Sequence, residues 1–258
     1  MKIEEQTIRA AFAQHGQQYD QRGRAWSNPH HVEMWRMARR AFDGPSFADF
    51  EKLYTELRGT WQVFRGSVSF WTPQQLFDAL AECDPSLQRK KLSSLSETDA
   101  PTVWSVLDRI KSLKVNKWGA SVVAMSKFLH FWNPRLFVIV DDAVIWKWVL
   151  SHAWLRRQVE ETRIRTDQQL FQEAKKHDDT ACDMATYVAI LTWAAGLVRR
   201  NPVIAIEFAQ YVKESAKDTP VPDDLAEYEA AAVEWFLLGL VELPPAGVHN
   251  LDSRTVTN

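Results

Sequence analysis

The sequence predicts an all-α fold, and three observations carry that expectation. Apolar residues recur at helical spacing in most segments, breaks bearing proline or glycine separate stretches of helix length, and alternating strand-type patterns are scarce. With 258 residues, 46% of them apolar and 25% charged, the chain can bury a sizeable core.

The elements follow in order. Residues 1 to about 20 place Ile3, Ile8, Phe12 and Tyr19 among polar neighbours, as one amphipathic helix does. A turn at Gly23 to Pro29 leads to a helix over His30–Phe42, with Val32, Trp35 and Ala38 at helical spacing. Asp43-Gly44-Pro45-Ser46 stops it, and Ser46 can cap a helix over 47–57. Arg58 to Phe70, interrupted by Gly59 and Gly66, reads as an irregular connection or a short helix. Thr72-Pro73 supplies a threonine cap and a proline at the first helical position, and that helix runs to about Cys83. Asp84-Pro85 breaks the chain, and the polar stretch Lys91 to Ala100 reads as a loop.

Helices over 102–113 and 120–131 come next, joined by a turn around Val115 to Gly119, and Asn133-Pro134 ends the second. A short extended apolar run, Phe137 to Val140, precedes a helix from Asp141 to about Leu150. Further helices fit 167–176, 182–200, 202–217 and, after Pro220-Val221-Pro222, 223–241. The expected organisation is a helical lobe over 1–100 that packs with the C-terminal helices, a core segment over 101–152, a second lobe over 153–243 and a loose tail over 244–258.

Composition excludes several classes. Cys83 and Cys182 are too few for a disulfide framework or a four-cysteine metal cluster, and read as small buried residues. His30-His31 has no companion Cys or Glu at ligand spacing, so no zinc site is expected. The amphipathic, charged start lacks the apolar centre of a signal peptide, and the longest apolar stretch, Ala181 to Val198, is interrupted by Asp183, Thr186 and Thr192. A cytoplasmic protein without a membrane partner is therefore expected. A net charge of −2 confines any phosphate-binding face to a local patch. Arg36/Arg39/Arg40, Arg89/Lys90/Lys91 and Lys111/Lys114/Lys117 are candidates, each read first as a solvated helix face.

The informative segment is 113–150, LKVNKWGASVVAMSKFLHFWNPRLFVIVDDAVIWKWVL. The helix over 120–131 is apolar almost all round and must be central. Gly119 at its start allows close backbone approach, and a helix N-terminus favours an anion such as a phosphate. Beyond Asn133-Pro134, the apolar run delivers Asp141 to the start of another helix, where a cap is the ordinary role of an aspartate.

Here the chain resembles the helix-hairpin-helix (HhH-GPD) DNA glycosylase superfamily, in its 8-oxoguanine-glycosylase-like branch. Gly119 is similar to the second hairpin glycine, and Phe137-Val138-Ile139-Val140-Asp141, with Val144 beyond, is similar to the segment carrying that family's catalytic aspartate. Ser121 stands where bifunctional members carry a nucleophilic lysine, as in monofunctional adenine-removing members. Lys117 stands at the first hairpin glycine, the preceding proline is absent, and the gap from Ser121 to Asp141 is slightly long, which keeps Asp142 as the alternative carboxylate. The resemblance covers about a sixth of the chain.

It implies a two-lobed helical bundle around a helix-hairpin-helix motif, and a monomeric, cofactor-free, monofunctional glycosylase. Such an enzyme hydrolyses the bond between deoxyribose and a damaged or modified base, leaving an abasic site. A bulky modified base of foreign or phage DNA is among the candidate substrates. Asp141 would stabilise the positive charge that develops on the sugar. Lys114, Lys117, Gly119, Ser121 and Lys127 would face DNA, with Lys127 either a phosphate contact or a surface charge. Trp104, Trp118, Trp132 and Trp146 could stack on an extruded base, although most of the twelve tryptophans must fill the core. His130 reads as a satisfied, semi-buried histidine. The rival readings are a catalytically silent DNA- or partner-binding module, which the altered hairpin and acidic balance favour, and a glycosylase or nucleosidase acting on RNA or free nucleosides.

Overall fold

A computed structural model describes residues 2–19, 28–60, 71–113, 122–140, 156–157, 160–161, 184–216 and 219–241. The regular elements among those residues are helices and none is a strand, as the periodicity predicts. The order is α1 (Glu5–Tyr19), α2 (Asn28–Asp43), α3 (Phe47–Gly59), α4 (Pro73–Ala81), α5 (Pro85–Gln88), α6 (Ala100–Ser112), α7 (Val122–Trp132), α8 (Met184–Arg200), α9 (Val203–Ser215) and α10 (Glu229–Val241).

Local chemistry sets several starts. Ser46 Oγ accepts from the Asp49 N–H at the head of α3. At α4 the Thr72 hydroxyl accepts from the Gln75 N–H while the Gln75 side chain reaches back to Thr72, a reciprocal capping box. The stretch read as a polar loop contains two 3-10 turns, Leu92–Ser94 and Glu97–Asp99. They form because Leu92 and Leu95 are buried and draw the backbone inward, where Arg199 donates to the carbonyls of Ser93 and Leu95. A third 3-10 turn, Leu225–Glu227, separates the 220–222 break from α10, which therefore starts later than its apolar pattern suggests.

The helices share one cluster of buried apolar side chains that reaches from Ile3 to Leu240. Within it α1 packs on α9 and α10, α2 on α3 and α7, and α6 on α4, α7 and α8. Five of the six described tryptophans, Trp35, Trp71, Trp132, Trp193 and Trp235, are buried in this cluster, and Trp104 packs against it half-buried. At the α1–α10 contact the helices approach so closely that a Cβ on Gly239 would run into the Ala11 carbonyl. No described helix is long and apolar enough to cross a membrane.

Candidate functional site

α7 is the central element that its apolar pattern predicts: Val122, Met125, Phe128 and Leu129 are all buried. Its polar residues are buried too. Ser126, Lys127 and His130 are 0%, 5% and 1% exposed. At 5% exposure Lys127 is not the solvated surface charge that is one of its two expected roles. Every residue of α7 but the half-buried Val123 is buried, which leaves little solvent face for it.

Ser126 and His130 are one helical turn apart and share a face of α7. The segment after the helix returns along that face. Asn133 makes the reversal: its carbonyl accepts from the N–H groups of Leu136 and Phe137, and its side chain donates to the carbonyls of Leu87 (2.6 Å) and Lys90 (3.0 Å). The run Phe137–Val140 is at most 3% exposed and, among the described residues, is part of no helix or sheet. Its backbone polar groups need partners, since a buried unpaired group costs about 1–3 kcal/mol.

Side chains supply those partners one at a time. The Phe137 carbonyl accepts from His130 Nδ1 at 2.8 Å, the Val138 carbonyl from the Tyr187 hydroxyl on α8 at 2.9 Å, and the Val140 N–H donates to Ser126 Oγ at 3.0 Å. Ser126 meanwhile donates to the Val123 carbonyl at 2.9 Å. His130 Nε2 accepts from the Trp35 indole N–H at 3.2 Å, which together with the carbonyl at Nδ1 fixes a neutral ring protonated on Nδ1. Burial drives its pKa down to about 4, against the smaller upward pull of the Phe137 carbonyl. The semi-buried, satisfied histidine of the sequence is satisfied and fully buried.

The last described residue of this run, Val140, is one peptide bond from Asp141. Asp141, Asp142, Ser121, Lys114, Lys117, Gly119, Trp118 and Trp146 lie outside the described residues. Among the expected base-stacking residues, Trp132 is 5% exposed and packs at 5.8 Å from the Phe137 ring. It borders a cavity of about 50 Å³ together with Trp35, Arg135 and Tyr228. A ligand pocket usually offers about 300–1,000 Å³, so Trp132 acts there as core.

Sequence reading overlooked Ser126 and Tyr187. The signal for Ser126 was available: a small hydroxyl inside an apolar helix must find a buried partner. Tyr187 had none, because its target lies 49 residues away.

Among the described residues, Arg36, Arg39, Arg40, Lys90 and Lys91 of the basic clusters are paired with carboxylates. Arg36 pairs with Glu33 (3.0 Å), Arg39 with Asp43 (3.2 Å) and Asp224 (2.9 Å), and Arg40 lies 3.6 Å from both Glu33 and Asp49. Lys90 pairs with Asp99 and Lys91 with Glu227. Among the described residues no group of three His, Cys, Asp or Glu side chains is placed to hold a metal. Cys83 is buried, and burial pushes its thiol up to about 11, so it is held as the weakly nucleophilic thiol.

Comparison with known proteins returns no matching family model, no matching curated protein and no matching solved structure.

Proposed function

We propose that the protein is a monofunctional DNA glycosylase that hydrolyses the N-glycosidic bond of a damaged or modified base and leaves an abasic site, with Asp141 as the carboxylate that carries the chemistry. The observation that supports this reading most is the Phe137–Val140 run. It is buried, tied by three side chains from two helices, and ends one bond before an acidic pair, Asp141-Asp142. Fixing such a run serves a group that must be held still. A preorganised carboxylate beside an oxocarbenium-like sugar is one, because it stabilises charge without reorganising. Ser121 at the lysine position makes water, not an enzyme amine, the nucleophile.

The test is single-turnover base release from genomic DNAs of different modification status, read as abasic sites. Asp141→Asn keeps shape and capping ability but removes the charge. Its rate is expected to fall on the order of a hundred- to thousandfold, or about 2.7–4 kcal/mol. If Asp142→Asn is the dead variant, the carboxylate is one residue on; if neither slows release, the mechanism is wrong.

A second reading, a silent module or an enzyme for RNA or free nucleosides, is favoured by one observation. The Arg36/Arg39/Arg40 cluster is already paired with carboxylates, so it offers duplex DNA little free positive charge.

A further inference from the structure

We infer that Ser126 and Tyr187 are positioning residues for the proposed base release, holding the Phe137–Val140 run in register so that the residue after it is presented at a fixed place. The inference rests on the glycosylase reading and deepens it.

A packed helix such as α7 has no need of a hydroxyl at position 126. The side chain is 0% exposed, its neighbours Ala124, Met125, Phe128 and Leu129 are apolar, and an unpaired hydroxyl there would be penalised. Ser126 is retained at no such penalty because both of its bonds are used: it donates within α7 and accepts from the Val140 N–H. Tyr187 makes the matching arrangement from α8. Its ring is fully buried in the core and its hydroxyl meets the Val138 carbonyl. Two bonds from two different helices therefore tie the segment at two points, Val138 and Val140. Among the described residues the run pairs with no strand, so loss of either bond removes one of the few ties that hold it.

Tyr54 provides an internal control. It too is a buried tyrosine whose hydroxyl donates to a backbone carbonyl, that of Trp71 at 2.7 Å, but the bond serves the approach to α4 and not the run. Tyr187→Phe and Tyr54→Phe each remove one buried hydroxyl, and a purely structural role predicts similar consequences.

The experiment compares wild type, Tyr187→Phe, Ser126→Ala, Tyr54→Phe and Asp141→Asn. It measures melting temperature, single-turnover base release from the modified genomic DNA cleaved by wild type, and binding to a duplex carrying a stable abasic-site analogue. Tyr187→Phe and Ser126→Ala are expected to slow release roughly ten- to hundredfold, the scale of a small misplacement, with binding changed less than about twofold. Tyr54→Phe is expected to match Tyr187→Phe in melting temperature and wild type in rate. Amide exchange gives a readout independent of catalysis: Ser126→Ala should deprotect the Val140 N–H selectively. If Asp141→Asn is inactive while Tyr187→Phe and Ser126→Ala cleave as fast as Tyr54→Phe, positioning is overturned and the glycosylase reading stands. If Asp141→Asn and Asp142→Asn both cleave normally, or wild type cleaves no DNA, the glycosylase reading is overturned and the positioning role falls with it.

Discussion

Acidification between about pH 6.5 and pH 4 is expected to destabilise the fold through His130 alone by about 3 kcal/mol. The ring is enclosed by Trp35, Phe131 and Phe137, and its two nitrogens are engaged, one donating and one accepting. Burial lowers its pKa from 6.5 to about 4. The sign follows from which state takes up the proton first. As pH falls through 6.5 the unfolded chain binds it and the folded chain does not, so stability drops until pH reaches about 4 and is flat below. At about 1.4 kcal/mol per pH unit, that interval corresponds to about 3 kcal/mol. Protonation would also convert Nε2 from acceptor to donor and set it against the Trp35 N–H. The carboxylate of Glu234, 3.9 Å from Nδ1, is the acidic group facing the ring from α10. Urea unfolding at pH 7, 6, 5 and 4.5, for wild type and His130→Asn, isolates the term, since the buried His15 and His31 are common to both. Asn retains a donor for the Phe137 carbonyl and loses the titration. The variant should be less stable at pH 7 by about 1–3 kcal/mol, the cost of the indole N–H left without its acceptor. Its stability should also fall less steeply with acid. Equal pH slopes for the two proteins would refute the assignment.

Two further outcomes are expected. Gly239→Ala should lower the urea midpoint, because overpacking costs typically 1–3 kcal/mol and the Ala11 carbonyl stands where the new Cβ would sit; a gain in stability, the usual effect of alanine inside a helix, would show that α1 and α10 are farther apart. Under the proposed function, borohydride should trap no covalent adduct with abasic DNA, because Ser121 cannot form an imine; an adduct lost in Lys127→Ala would overturn the monofunctional reading.

Much of the architecture is legible in the sequence because it is written in local chemistry. Ser46, Thr72-Pro73 and Asn133-Pro134 mark helix ends through bonds to residues a few positions away, and the structure places α3, α4 and the end of α7 there. The burial of α7 follows from apolar residues on every face. What escapes a sequence reading depends on distant partners. Trp35 and His130 are 95 residues apart, and Tyr187 and Val138 are 49 apart. Lys127 illustrates the same gap in reverse: a lysine suggests solvent, but the packing around α7 leaves it inside. The aromatic surplus is ambiguous for that reason as well, since Trp35, Trp71 and Trp235 serve the core while nothing in their spacing says so.

The charge arrangement narrows how such a protein can hold DNA. Affinity for a duplex comes largely from cations that displace counterions along the phosphates. The described arginines of α2 are shared with Glu33, Asp43, Asp49 and Asp224, and Lys90 and Lys91 with Asp99 and Glu227, so recruiting them means breaking an ion pair for each phosphate gained. Under the proposed function these five residues therefore add little to the sequence-independent term. Binding then falls to the hairpin residues Lys114, Lys117 and Gly119 and to the stacking of an extruded base. Under the proposed function, the less of the energy that comes from phosphates, the more selection would rest on the base, favouring a nucleotide that leaves its stack readily.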